Sequence, residues 1–301
     1  MKRILSIIVM LALVLSFGAA AENGEKLSIV VTDFPCYDFA RAVAGDNAEI
    51  TMLIKPGSEV HSYEPAPGDV VAMMEADLFI YIGGESDAWV AEMLASMEGG
   101  APSTLRMFDH VDMLCGEENT DSEHDHEYDE HIWTSPLNAM DMVNAVSDAL
   151  KQIDPANADE YDANAAAYNA QIAEIDDAIR QAADGAARNT LVFADRFPFL
   201  YLAAEYGFDY AAAFPGCAGE TEPSASVVME LIDRVISENI PAIYVIEMST
   251  GNVADAISEA TGAEILTLHS IQNVSADEFA AGETYVSLMW KNVEALKKGL
   301  N

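Results

Sequence analysis

Histidine is scarce in this chain, with six in 301 residues. Three of the six fall in one stretch, HDHEYDEHIWTSP at 124–136, set among acids. The others are His61 in IKPGSEVHSYEP, His110 in MFDHVDM and His269 in AEILTLHS. Neutral imidazole and ionised carboxylate are the donors that a borderline divalent cation takes in preference to carbonyls, with zinc ahead of harder ions. A single histidine is as readily a surface or core residue, so chemistry requires several to converge. His110 reads as structural. His61 follows a predicted strand, His131 opens a predicted helix, and Asp195, Glu247 and His269 each end an apolar run. Those are the places where open parallel sheets bind ligands, beyond the carboxyl ends of their strands. His61 and His131 from one half of the chain would then meet Asp195 and His269 from the other.

The elements that must bring them together follow from the hydrophobic pattern. KLSIVVTDFP at 26–35 reads as a buried strand, CYDFARAVAGD as a helix with a glycine stop, and Leu78–Ile82 as a further strand. Strands alternate with helices up to about residue 115, and the alternation resumes with TLVFAD, AIYVIE and AEILTLHS. Such alternation implies parallel, doubly wound sheets. Between the halves lies an alanine-rich run with Tyr161, Ala165, Tyr168, Ile172, Ile175 and Ile179 at helical spacing. The expected architecture is therefore α/β: two doubly wound parallel-sheet lobes, each with its own core, joined by one long helix, with a metal cleft between the lobes. The boundaries are 1–21 for a leader, 22–153 for the first lobe, 154–187 for the connecting helix and 188–301 for the second lobe. A loop rich in His and acids at 116–130 interrupts the first lobe and has no apolar period.

Composition narrows the function. The chain carries 51 acidic against 14 basic residues, a net charge of −37. Such a surface repels nucleic acid and anionic lipid and gathers cations. Lys2 and Arg3, the apolar run from Ile4 to Phe17 and the small residues Ala19–Ala21 read as a cleaved secretory signal. No lipid-attachment cysteine follows the run, so the expected product is free in the periplasm or secreted. Cys36, Cys115 and Cys217 make no CxxC pair, which argues against a thiolate zinc finger. Neither HExxH nor Gly-x-Ser-x-Gly is present, and these are the commonest signatures of zinc peptidases and serine hydrolases.

Two segments carry a family resemblance. IKPGSEVHSYEPAPGDV resembles the Pro-Gly, then His-x-Tyr-Glu-Pro, segment of the metal-specific solute-binding proteins of ABC transporters, the ZnuA/TroA-like cluster. DEHIWTSPLNA is similar to that family's Asp-x-His-x-Trp-x-x-Pro segment, and IVVTDFPCYDFARAVAGD to its opening strand and helix. The resemblance implies His61 and His131 as the first two metal ligands. The family's third position, counted back from Phe199, Tyr201 and Tyr206, falls on Arg196, and a cation does not coordinate a cation. A shift of one residue places Asp195 there, although Asp195 also suits a helix cap or a pair with Arg196. The fourth position, usually Asp, is His269, which makes the site richer in nitrogen and tilts it towards zinc over manganese. Glu222, in the retained Glu-Pro-Ser, and Glu247 are the implied outer acceptors. His124 and His126 resemble the metal-collecting loop of zinc-selective members, the alternative being a solvated charged loop. The implied function is an extracytoplasmic, monomeric receptor that binds Zn2+ and delivers it to the membrane permease of an ABC importer. The alternatives are a manganese or iron receptor of the same fold, or a secreted zinc-dependent hydrolase.

Overall fold

A computed structural model describes residues 26–97, 100–116, 128–214 and 223–301. The leader at 1–21, His124, His126, Cys217 and Glu222 lie outside the described residues. In the first lobe β1 (Leu27–Val31), β2 (Ala48–Met52), β3 (Leu78–Tyr81) and β4 (Ser103–Arg106) form one parallel sheet in the order β2-β1-β3-β4. Register aligns Val31 with Met52 on one side and with Ile80 on the other. Helices α1 (Phe34–Ala44), α2 (Pro67–Met74), α3 (Ala88–Ser96) and α4 (Pro136–Ile153) accompany it. Their starts are locally encoded. Asp33 accepts from the Cys36 amide at 3.2 Å, and Ser135, followed by Pro136, caps α4 by accepting from Asn138.

The second lobe repeats the plan. After α5 (Ala158–Asp184), β5 (Thr190–Phe193), β6 (Asp209–Ala212), β7 (Ala242–Val245) and β8 (Glu264–Thr267) pair in parallel in the order β6-β5-β7-β8. Helices α6 (Leu200–Tyr206), α7 (Ala225–Ser237), α8 (Asn252–Thr261), α9 (Ala276–Ala281) and α10 (Tyr285–Gly299) complete it. The two-lobed α/β architecture expected from the alternation is the one observed. Strand β6 was not anticipated. It is an edge strand, exposed at Asp209 and only half-buried elsewhere, so it lacks the apolar run that marks its neighbours. In each sheet the strand order reverses at the pair β1/β3 or β5/β7, and a crevice for ligands opens at such a reversal.

Helix α5 has 27 residues, about 40 Å at 1.5 Å per residue. The face predicted from spacing is the buried one: Tyr161, Ala165, Tyr168, Ile172, Ile175 and Ile179 all face inward. Each lobe has the expected apolar cluster of its own, around Val30, Leu53 and Phe79 in the first and Val192, Leu231 and Ile257 in the second, and a larger cluster joins the two lobes. The main apolar cluster runs without interruption from Ile29 and Phe39 through Tyr168 and Ile175 to Phe193, Tyr244 and Leu296. Helix α5 packs on α1 and α4 of the first lobe and on α6 and α10 of the second, so each lobe buries apolar surface against the same strut. Asp38 of α1 pins this junction. Fully buried, it accepts from the Tyr168 hydroxyl on α5, from the Tyr285 amide of α10 at 2.9 Å and from Arg41 at 2.5 Å.

Candidate metal centre

His131 stands on a short helical turn, Ile132–Thr134, just before α4, and is 1% exposed. Its loop is held from several sides. The Trp133 indole donates to the Ser270 carbonyl at 2.8 Å, and the Tyr285 hydroxyl donates to the Trp133 carbonyl at 2.8 Å. From α6, Tyr201 donates its hydroxyl to the Asp129 carbonyl at 2.8 Å. The contacts tie the His131 loop of the first lobe to the second lobe, which sequence separation alone does not reveal.

His61 lies in the loop after β2. Gly57, in the left-handed region with φ +81°, donates its amide to the Val274 carbonyl at 2.7 Å. Asn273 donates its amide group to the carbonyls of Lys55 and Ser58, both at 2.9 Å. The ring centroids of His61 and His131 are 6.1 Å apart. Glu130 joins them: one donor atom from each of His61, Glu130 and His131 lies within 4.8 Å of the other two. Among the described residues this is the only such group of histidine, cysteine or acid donors.

Hydrogen bonding fixes which ring nitrogen each histidine offers. Asp129 Oδ1 lies 3.1 Å from His131 Nδ1 and also accepts from the His131 amide at 2.9 Å. An ionised carboxylate only accepts, so Nδ1 carries the proton and Nε2 has the lone pair. Burial works to raise the Asp129 pKa, yet the facing His131 and its two bonds hold the carboxyl below the usual range. Glu130 sits on the Nδ1 side of His61, with Oε1 at 3.3 Å. Burial lowers the His61 pKa, Glu130 opposes that and neighbouring His131 adds to it; the net shift is downward, which favours the neutral form that a metal requires. Gly84 makes room for this arrangement, since a Cβ there would come within 2.3 Å of the Glu130 Cβ.

The other expected donors are placed differently. His269 is buried, and its Nδ1 accepts from the Ile271 amide at 2.9 Å, so its neutral ring carries the proton on Nε2, which faces Glu278 Oε1 at 3.6 Å. That is the opposite tautomer from His131, and His269 stands outside the three-residue group. Ile271 itself has φ +65°, a rare conformation for a β-branched residue. Glu247 accepts from the Ser270 amide at 2.7 Å and from the Ser270 hydroxyl, and so shapes the turn that follows His269. Asp195 accepts from the Arg196 amide at 2.8 Å and also stands outside the group. It lines an inter-lobe cleft of about 250 Å3 with Glu59, Arg196, Glu247 and Gln272. Arg196 reaches across this cleft to Glu59 at 3.7 Å.

Behind the His61 loop, at the reversal between β1 and β3, lie two buried carboxyls. Burial, with Asp87 and Glu130 nearby, pushes Asp33 up to about 8; Asp87 is pushed by burial up to about 7. Asp87 accepts from the amides of Ile82 and Gly83 and so folds the β3–α3 loop. Sequence reasoning passed over Glu130, Asp129, Ser86 and Gln272. The first two were visible as the acids immediately preceding His131. Ser86, in the β3–α3 loop, carries no local signal at all.

Comparison with known proteins identifies the family of the chain. The family model described as ZnuA, zinc-uptake complex component A periplasmic, matches residues 29–299. The zinc-binding lipoprotein AdcA of Streptococcus pneumoniae is 32% identical over 280 residues, which is 91% of this chain and 56% of AdcA. The chain thus spans about half the length of that relative. The high-affinity zinc uptake system protein ZnuA of Bacillus subtilis is 30% identical over 293 residues, 94% of this chain and 90% of that protein. The crystal structure of the Zn(II)-bound ZnuA-like domain of S. pneumoniae AdcA superposes with a TM-score of 0.78 at 31% identity, covering 92% of this chain and 99% of that one. With two histidines converging from motifs 70 residues apart and a match along nearly its whole length, this chain belongs to the family of periplasmic zinc-uptake components.

Proposed function

We propose that this protein is an extracytoplasmic receptor that takes up one zinc ion between its lobes and hands it to the membrane permease of an ABC importer. The carrying observation is the convergence of His61 and His131, each with Nδ1 beside a carboxylate oxygen, at 3.3 and 3.1 Å. A carboxylate at Nδ1 is the outer contact that metal-bound histidines use, and it leaves Nε2 to coordinate. Two imidazoles with an adjacent carboxylate suit zinc better than manganese, since carboxylate and water sites favour the harder ion. Relatives named for zinc binding and zinc uptake support the same cargo.

His61 and His131 are the assigned ligands, with Glu130 beside them. His269 joins the ion by turning its ring so that Nδ1 releases the Ile271 amide, and Asp195 joins by leaving the Arg196 amide for the cleft. The core shared through α5 opposes wide opening of the lobes, so capture proceeds by ordering of these loops. The protein acts as a monomer that binds without turnover, outside the cytoplasm. No helix among the described residues is long and apolar enough to cross a membrane. The strongly acidic surface gathers cations towards the cleft.

The test is metal analysis of purified protein with zinc titration against a chromophoric chelator. One tight zinc per chain is expected. His61→Ala and His131→Ala should each weaken binding at least about tenfold with the fold intact. Near-native affinity in both would remove the site from this place, and turnover of ester, peptide or phosphate substrates would favour the hydrolase.

A further inference from the structure

His61 and Glu130 are bridged by a third residue. Ser86 occupies the loop between β3 and α3, at the strand-order reversal of the first sheet. Its Oγ lies 2.9 Å from His61 Nδ1 and 2.5 Å from Glu130 Oε1, while its amide donates to Glu130 Oε2 at 2.9 Å. Gln272, from the loop after β8 in the other lobe, donates to the same Oε1 at 3.3 Å. Every neighbour of Glu130 in this set is a donor, so its two oxygens act here as acceptors.

The proton count then has one solution. Ser86 has a single hydroxyl proton and gives it to Glu130, because the carboxylate has none to offer in return. The serine oxygen therefore meets His61 with a lone pair, and only a protonated Nδ1 can face it at 2.9 Å. Neutral histidine in water favours the other tautomer, with the proton on Nε2, where it blocks coordination by that nitrogen.

We infer that Ser86 is a positioning residue for metal capture: held by Glu130, it fixes the proton of His61 on Nδ1 and so keeps Nε2 bare for the incoming ion. The inference rests on the receptor reading above for the role of His61. The same device is built twice from adjacent residues. Asp129 orients His131 directly, and Glu130 orients His61 through Ser86. The Gln272 contact connects the second relay to the second lobe, so closure of the lobes and aim of His61 share one carboxylate. At His269 the Glu247 carboxylate also lies beside Nδ1, at 3.5 Å, but that nitrogen accepts from the Ile271 amide and so has no proton to give it.

The experiment uses the full mature protein with 15N-labelled histidine, metal-free and at mildly alkaline pH. Long-range 1H–15N correlations distinguish protonated from bare ring nitrogens, and His61→Gln identifies the His61 signals. Zinc affinity is measured in parallel. In the wild type, His61 and His131 should both show Nδ1–H. In Ser86→Ala, His61 should move towards Nε2–H and zinc affinity should fall about tenfold, within the range for outer-contact substitutions. His131 should keep Nδ1–H, because Asp129 is untouched, and Ser86→Thr should restore both readouts. Retention of full Nδ1–H at His61 in Ser86→Ala would overturn the inference and leave Glu130 acting alone from 3.3 Å. A parallel change at His131 would also overturn it, by showing a general disturbance of the loop. A wild type with these tautomers but no tight zinc would refute the receptor reading and leave the proton placement standing.

Discussion

Asn273 offers the sharpest test of how the lobes are coupled. It is 2% exposed, and its amide group donates to the carbonyls of Lys55 and Ser58 at 2.9 Å each. Its carbonyl oxygen accepts from the Val274 amide at 2.8 Å. Asn273→Ala removes three hydrogen bonds at once, one buried and two partly buried. At about 0.5–1.5 kcal/mol net for each, the loss is about 2–4 kcal/mol of folding stability. Asn273→Asp keeps the shape but turns a carboxylate oxygen towards two carbonyls, so at neutral pH it should cost at least as much as alanine. The assay is urea unfolding of the metal-free protein with linear extrapolation. The midpoint should move and the slope should stay, because the surface exposed on unfolding is little changed. Since the same bonds hold the 55–60 loop that presents His61, zinc affinity should fall in both variants. The reasoning fails if either variant lies within about 0.5 kcal/mol of wild type, the scatter of ordinary surface substitutions, or if Asp proves milder than Ala.

Other consequences follow from the same contacts. Asp129→Asn weakens the acceptor at His131 Nδ1 and should lower zinc affinity about 10–100-fold, read by chelator competition, with little change in thermal stability. Asp33 holds a proton up to about 8 in the fold and releases it near 3.8 when unfolded. Folding therefore takes up a proton between those values, and this group's contribution to stability declines as pH rises through that window. Asp33→Asn, which retains an acceptor for the Cys36 amide, should flatten the Tm–pH profile of the metal-free protein and exceed wild type at the alkaline end. A difference between the two that is independent of pH would show that burial does not hold the proton. Asp38→Ala strips the partner from Tyr168, the Tyr285 amide and Arg41 and should cost about 2–4 kcal/mol in urea unfolding. Full stability would mean that the apolar faces of α1, α5 and α10 hold the lobes together unaided.

Much of the scaffold was legible because local rules and tertiary demands agree. The face of α5 followed from spacing alone: a helix lining both lobes must repeat its apolar side every three to four residues along its whole length. β1, β3, β5 and β7, with the apolar side chains of internal strands, stood out as runs, whereas edge strand β6 did not. The continuity of the largest apolar cluster across both lobes was also hidden, because periodicity says which face is buried but not against what.

The site divides along the same line. Residue types and short-range order determined His61 and His131 as metal-ligand candidates, marked the carboxyl ends of strands as the place for chemistry, and set a strongly acidic net charge. Tertiary structure alone decided that Glu130 stands with the two histidines, that Ser86 bridges it to His61 from 25 positions away, and that His269 has its proton on the opposite nitrogen from His131. A proton's position depends on the donors and acceptors within about 3 Å of a ring. Those neighbours come from four loops in two lobes, and only folding brings them within that distance.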